Sequence, residues 1–332
     1  MAVINPQSRR FFSETLSLND DETDDILCEV ERSLPTYEYD QYRGYPAKNG
    51  SGWQKYFIMR QRKKFQNPEW LFFCEVYDDT PYVLGCRVPT WDEEHFGFKM
   101  AMISAIFLYN EKPAKLAGMI DRCLLLLRER DIKFVSARFH GDHIIPIHLC
   151  ESRGFRYYEN IIWPVASCKD ILTEPIATVR LMQASDLEDV LYIAANYQHQ
   201  QGHYHSDERF DQNKVDTMYV KWVNTAWSNN DPIAVIEHEG KVAGYFVFCI
   251  EKELSHTLGY QYYGMRLLCL DLRVRGKGLG SSLFRSTMSL MKQMGADYID
   301  SGYASKNHIS ARLHVQNSFY SAYEEVTLHL WL

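Results

Sequence analysis

The sequence predicts a two-domain protein of mixed α/β class, an α+β arrangement built on mixed sheets. Three observations carry this reading. The chain has 332 residues, and at roughly 150 residues per domain that makes two units, each able to bury a core. Hydrophobic residues make up 46% and charged residues 24%, the balance of a globular protein. Helical and strand periodicities alternate along both halves, with a break between them. The break sets an N-terminal domain at 1–163, a linker at 164–176 (PVASCKDILTEPI, bracketed by two prolines) and a C-terminal domain at 177–332.

Taken in order, residues 1–34 read as an acidic lead-in, partly helical, with Asn19 to Asp25 a solvated charge run. Residues 35–85 are rich in aromatics, and their basic stretch Arg60-Gln-Arg-Lys-Lys64 reads as an exposed helical face, with a phosphate-facing patch as the alternative. Clearer order starts near 86. Leu116, Ile120, Cys123, Leu124 and Leu127 stand at helical spacing within 114–131. A strand KFVSARFH, a short helix through His148 and Cys150, a stop at Gly154 and a strand RYYENIIW follow.

In the second half, Ala177 to Leu181 is a strand and Ser185-Asp-Leu-Glu188 reads as a capping box opening a helix. A second helix, about 211–226, keeps Val215, Met218, Tyr219, Trp222 and Val223 on one face. Strands at 232–238 and 241–252 are joined by Glu239-Gly240, a hairpin turn. Met265 to Leu272 is a strand, Ser281 to Met294 a helix, 296–303 a strand and 306–317 a helix; two short strands end the chain.

Composition excludes several functions. A formal net charge of −7 argues against a general nucleic-acid binder. No apolar run reaches the ~18 residues of a membrane span, and the N-terminus lacks the apolar core of a secretory signal, so a cytoplasmic protein is expected. The eight cysteines include no C-x-x-C pair and mostly sit in apolar runs, which reads as reduced, buried thiols. His203 and His205, and the trio His140, His143 and His148, lack matching ligands at metal spacing, so no metal is expected.

The informative segment is Arg275-Gly276-Lys277-Gly278-Leu279-Gly280, which joins a buried strand to a helix beginning near Ser281. Glycines let the backbone take positive φ and approach a ligand closely. The free N–H groups of the first helical turn then converge on one spot where the dipole favours an anion, and Arg275 and Lys277 add charge. That is a diphosphate cradle, with a ligand-free glycine turn as the alternative. A dinucleotide fold is disfavoured, because Leu272 to Arg275 separate the strand from the first glycine and the chain ends 52 residues after Gly280. A Walker loop is excluded, since no G-K-[ST] closes the turn.

The spacing R-x-x-G-x-G, here Arg275, Gly278 and Gly280, is similar to the acetyl-CoA loop of the GNAT superfamily. Ser305-Lys-Asn307, then Ala311-Arg-Leu313-His314 and Ser318-Phe319, resembles that superfamily's next motif, N-x-x-A-x-x-L-Y…G-F. The departures are Leu272 for the usual Pro, His314 for Tyr and Ser318 for Gly. This resemblance spans about 176–332. Trp91-Asp-Glu-Glu-His-Phe-Gly97 and Gly154-Phe-Arg-Tyr-Tyr-Glu159 resemble the N-terminal domain of two-domain dTDP-fucosamine acetyltransferases. His203-Tyr204-His205…Tyr219…Trp222 resembles their substrate helix, and residues 1–85 have no counterpart.

The resemblance implies a GNAT C-terminal domain preceded by a smaller, degenerate GNAT-like domain without a CoA loop. It implies N-acetyl transfer from acetyl-CoA directly to a small amine, a nucleotide-linked amino sugar first, with another small amine (antibiotic, polyamine or amino acid) as the alternative. From a different class, a non-catalytic acyl-CoA sensor also fits the altered motif positions. By the same resemblance Leu270 and Leu272 would hold pantetheine, residues Arg275 to Ser281 the diphosphate, and Asn307 would complete the cofactor site. His314 would donate the proton to the leaving thiolate, with Tyr320 and Tyr323 behind it. Glu159 would act as base through water, with Asp271 as runner-up, and Tyr204, Tyr219 and Trp222 would face the acceptor. The partner is a small molecule, and both monomer and homodimer stay open.

Overall fold

A computed structural model describes residues 9–12, 20–77, 80–108, 112–169, 171, 174–197 and 202–332. By its internal contacts the chain divides into two units. The first takes residues 1–43, 51–160 and 324–332, and the second takes 44–50 and 161–323. The division therefore differs from a cut at 163, because strand β6 (Arg156–Ser167) runs through that position and into the expected linker. Residues 170, 172 and 173 of that linker, and Asn19 of the charge run, lie outside the described residues.

In the first unit, β1 (Arg9–Phe12) precedes α1 (Asp20–Ser33) and α2 (Gly52–Phe65). Then come β2 (Trp70–Tyr77), β3 (Thr80–Arg87), α3 (Thr90–Phe96) and β4 (Met100–Leu108). The helix α4 (Pro113–Glu129), β5 (Phe134–His140) and α5 (Ile144–Glu151) lead to β6. The sheet order is β1-β2-β3-β4-β5, with the last residues of the chain adding a further antiparallel strand to β5. Leu116, Ile120, Cys123 and Leu127 of α4 are fully buried against this sheet, as their spacing requires. The aromatic segment holds more order than its composition suggested: α2 and β2 lie within it and β3 begins there.

The basic stretch on α2 is not an exposed face. Arg60 pairs with Asp40 and lies over the Tyr42 ring, 4.6 Å from its centroid. Gln61 is buried, and Lys64 sits over Trp70, where burial pushes its ammonium pKa down to about 7. Aromatic faces accept cations on this helix, so only Arg62 and Lys63 turn outward.

The second unit carries β7 (Val179–Leu181), α6 (Leu187–Tyr197), α7 (His203–Ser206) and α8 (Gln212–Ser228). Next are β8 (Ile233–His238), β9 (Lys241–Ile250), α9 (Lys252–Leu258) and β10 (Tyr262–Leu270). It closes with α10 (Leu279–Gln293), β11 (Tyr298–Asp300), β12 (Tyr303–Ala304), α11 (His308–Gln316) and the first residues of β13 (Tyr320–Trp331), whose part from 324 onward belongs to the first unit. One long strand thus replaces the two short ones expected at the end. The sheet order is β6-β11-β10-β9-β8-β7. The helices α6 and α8 cover one face around Val223, Val235, Tyr245 and Cys269. The other face packs Phe246, Met265, Leu268 and Leu270 against Leu283, Phe284 and Met288 of α10.

Local chemistry sets the boundaries. Glu239 and Gly240 both take positive φ, 52° and 74°, as a two-residue hairpin between twisted strands needs. Asp211 caps α8 by accepting from the Asn213 N–H at 3.0 Å. The capping box before α6 is Gln183 with Asp186, not Ser185 with Glu188. Asp186 accepts from the Gln183 N–H at 2.7 Å and also binds Arg180, and that second bond selects it. Among the described residues, no helix is long and apolar enough to cross a membrane. No disulfide links the cysteines among the described residues; Cys28 is exposed and Cys249 half-buried, whereas the remaining six are buried as expected.

Candidate active site

The site is assembled at the end of β10. The strand ends at Leu270, and Asp271 stops it by accepting from the Arg273 N–H at 2.8 Å, which opens a single 3-10 turn over Leu272–Val274. Leu272 is therefore not a strand residue, and at 54% exposure it stands outside the sheet. The chain then passes through Gly276 and Gly278, with φ of 80° and 83°, into α10. These left-handed angles are the reason for glycine here, because a Cβ at either position would meet nothing within 4 Å.

The helix α10 starts at Leu279, two residues earlier than its apolar spacing suggested. The Ser282 N–H donates to Gly278 O at 3.1 Å. The N–H groups of Leu279, Gly280 and Ser281 lie before that first intrahelical bond and face outward with the positive end of the helix dipole. Gly276 to Gly278 are exposed, so an anion can reach this surface. Lys277 lies beside His238, Nζ to Nε2 3.4 Å. The Arg275 guanidinium turns back and donates to Leu270 O at 3.2 and 3.3 Å, which braces the loop on the strand it leaves.

Upstream, β10 pairs in parallel with β11 only from Tyr262↔Tyr298 to Gly264↔Asp300. Its register with β9 slips between Met265 and Leu267, so Arg266 is the extra residue of a β-bulge. The bulge turns Arg266 and Leu267 to one face, toward α8, where both line a cavity of about 430 Å³. Trp222, Thr225 and Asp231 contribute from α8 and the turn after it, and Val247 and Cys249 from β9. Arg266 is held by Asp300 (Nη1–Oδ1 2.8 Å) and by Glu251. Tyr45 donates to the other Asp300 oxygen at 3.2 Å. Gly264 makes this fold-back possible, since a Cβ there would lie 1.9 Å from the guanidinium. Burial raises the carboxyl pKa of Asp300 despite Arg266, and burial with Glu251 raises that of Asp231.

This strand–loop–helix joint beside an open parallel pair decides the family resemblance. Residues 174–319 match the acetyltransferase (GNAT) family. The chain has the GNAT fold. It is similar to a GCN5-related N-acetyltransferase from Sphaerobacter thermophilus, with TM-score 0.62 and 11% identity over 99% of this chain and 96% of that one. It is also similar to a tandem GNAT protein from the clavulanic acid biosynthesis pathway, with TM-score 0.56 and 13% identity over 98% of each chain. A third similar structure is described as a GCN5-related glucosamine N-acetyltransferase region of a fungal multi-domain GH3 β-N-acetylglucosaminidase. Its TM-score is 0.59 and its identity 11%, covering 99% of this chain and 38% of that one. No curated protein matches the sequence significantly. Two GNAT-like units in tandem account for the architecture, and the glycine joint lies in the second.

The other expected site residues fall in different places. Asn307 caps α11, its side chain accepting from the Ser310 N–H at 3.0 Å. His314 is buried: Tyr303 stacks on it at 4.7 Å, and Phe284 and Phe319 meet it edge-on at 5.1 and 4.8 Å. Its Nδ1 bonds Ser310 O at 2.8 Å, while Nε2 is buried without a partner, and desolvation takes the imidazole pKa down to about 4. A ring held neutral in this way has no proton to give at neutral pH, so the donor role expected of His314 fails on its surroundings. Burial keeps the phenols of Tyr303 and Tyr320 protonated by raising their pKa. Tyr320 also donates to Gly44 O at 3.3 Å.

Asp271 serves the turn: its bonds with Arg273 hold the carboxyl below its ordinary pKa, which suits a cap and not a base. Glu159 is buried on β6 and belongs to the first unit. Trp222 lines the cavity, and Tyr219 meets its ring edge-on at 5.2 Å. Tyr219 in turn stacks on His205, whose Nε2 lies 2.9 Å from Asp216. Tyr204 packs on His203 and Phe210 instead. Sequence reasoning missed Arg266, Asp231 and Asp300. A lone arginine inside an apolar strand, two residues after a glycine, was the available signal.

Proposed function

We propose that the chain is an acetyl-CoA-dependent N-acetyltransferase that acts directly on a small amine. The observation that carries this is the joint from Arg275 to Ser281, where two left-handed glycines and an open helix N-terminus suit a diphosphate. Bound there, acetyl-CoA supplies an activated acetyl group. Its pantetheine arm runs back along β10 beyond the pairing with β11, and the bulge at Arg266 lies about 13 Å upstream at strand rise. The reacting carbon then meets the cavity under α8.

In the transfer the carbonyl carbon–sulfur bond breaks and a carbon–nitrogen bond forms. The ammonium loses one proton before attack and a second as the amide forms; one of the two ends on the thiolate and the other goes to solvent. Asp231 is the cavity carboxylate that receives the ammonium, and Tyr303 is our candidate for the thiolate's proton. Glu159 stays a proposal as a water-mediated base, resting only on its motif. Buried thiols in apolar surroundings suit a reducing compartment such as the cytoplasm.

A second acceptor reading, an amino sugar carried on a nucleotide, is supported by the Trp91–Gly97 and Gly154–Glu159 motifs. The sugar portion is further supported by the glucosamine-acetylating name of one fold neighbour. Calorimetry with acetyl-CoA, followed by CoA release with a panel of amines, tests the enzyme. Binding without release for every amine would make the chain a sensor; absence of binding would defeat the reading.

A further inference from the structure

Resting on the transferase reading, we infer that the acceptor is a compact primary monoamine with an apolar body, such as an arylalkylamine, seated with its ammonium on Asp231 and its body against Trp222. The charges in the cavity choose the class. Arg266 is the cation on the wall, and Asp300 and Glu251 both engage it. Among the described residues, Asp231 has no ion pair and no side-chain hydrogen bond; Glu251 raises its pKa, and Arg266 and Lys252 lower it. Arg266 is already held by two carboxylates, so Asp231 is the cavity charge that no side chain bonds directly.

Thr225 and Asn229 also line the cavity, and the remaining walls are apolar. Val247, Leu267 and Ala226 form the floor, and the half-exposed Trp222 ring stands at the lip with Tyr219 against its edge. One carboxylate beside an indole face is a site for a cation on a hydrophobic stem. A sugar ring has hydroxyls all round, and those turned to Val247 and Leu267 would lack partners. A nucleotide diphosphate would bring negative charge to Asp231, and the volume of about 430 Å³ is modest for so large a group.

The test uses the full chain with phenethylamine, glucosamine, a dTDP-linked amino sugar and spermidine. Amine binding is measured by calorimetry without acetyl-CoA, and turnover by CoA release. Phenethylamine should lead glucosamine in kcat/KM by at least about tenfold, as an unmatched set of polar groups costs. Asp231→Asn, a nearly isosteric change at a partly exposed position, should weaken phenethylamine binding by about tenfold and leave acetyl-CoA affinity unchanged. Trp222→Ala should weaken phenethylamine more than spermidine. Preference for glucosamine or the nucleotide sugar, or an Asp231→Asn protein that binds phenethylamine as the wild type does, overturns the inference and leaves the transferase reading standing. Asp231-dependent phenethylamine binding with no CoA release for any amine keeps the ligand class and overturns the transferase reading.

Discussion

The two units run through nearly the same order of strands and helices, yet they differ at the one joint that matters for chemistry. In the second unit β10 pairs with its parallel neighbour over three residues and is followed by a loop with two left-handed glycines. In the first, β4 pairs with β5 over five, from Met100↔Phe134 to Ser104↔Arg138. Its exit reads Tyr109-Asn-Glu-Lys-Pro113, without a glycine. Both strands are bulged: β4 slips register at Ile106, as β10 does at Arg266. Ile106 is buried, whereas Arg266 carries a charge to a cavity. A shared architecture therefore says little about activity, which we assign to a loop and a bulge.

Removing the cradle should break this contrast with the largest effect. Gly278→Val needs a β-branched residue at φ 83°, and its side chain would occupy the open face of the loop. Acetyl-CoA affinity should fall by at least about a hundredfold, the equivalent of ~3 kcal/mol, with the melting cooperativity retained. Wild-type affinity in a folded variant would remove the assignment of the site. Calorimetry on the full chain should also give one acetyl-CoA per chain; two would show that the first unit binds it without glycines.

The charged bulge should come next. Arg266→Met leaves the buried Asp300 carboxylate without its cation, which should cost about 3 kcal/mol at pH 8. Asp300 has a raised folded pKa, so its folded form holds a proton more tightly than the unfolded chain does. Stability from that proton is present at low pH and lost as pH rises through the folded value. Losing Arg266 raises that value further. The variant should recover stability on acidification from pH 8 to 5, and denaturant melts at both pH values measure it. An equal deficit at both would show that Asp300 is not the group exposed by the change.

His314 has the opposite sign. Its folded pKa of about 4 lies below the ordinary 6.5, so its contribution is present above 6.5 and lost as pH falls toward 4. His314→Phe should flatten that decline, by about 2–3 kcal/mol across the window, and should keep kcat within about twofold at neutral pH. Loss of activity from the phenylalanine variant would return the imidazole to the chemistry. Tyr303→Phe, which removes only a hydroxyl, should instead lower kcat if the phenol supplies the proton. The smallest effect is expected at Ser318, which stands with φ of 61° where the motif has glycine. Ser318→Gly relieves that angle and should add about 1 kcal/mol, read as a rise in Tm.

Some of this was legible in the chain because it depends on neighbours in sequence. The glycine joint, the Glu239-Gly240 hairpin, the Asp211 cap and the buried stripe of α4 each follow from spacing and backbone freedom. Errors of one or two residues arose where a distant partner chose among similar side chains. Arg180 selects Asp186 over the next capping pattern, and Asp271 converts Leu272 from strand to turn. The basic run on α2 was misjudged for the same reason, since the rings of Tyr42 and Trp70 that receive Arg60 and Lys64 are not its helical neighbours.

What the sequence determined by itself was therefore the α/β class, the order of its elements and the place where a diphosphate can sit, all consequences of short-range periodicity and φ. The tertiary structure alone decided that His314 is neutral, because desolvation is imposed by rings from α10, β12 and the residue before β13. It alone paired Arg266 with Asp300 across a parallel strand and with Glu251 before α9, leaving Asp231 as the unpaired charge of the cavity. Electrostatics depends on distances through space, and residues 34 or 15 positions apart in sequence are not brought together until the sheet forms.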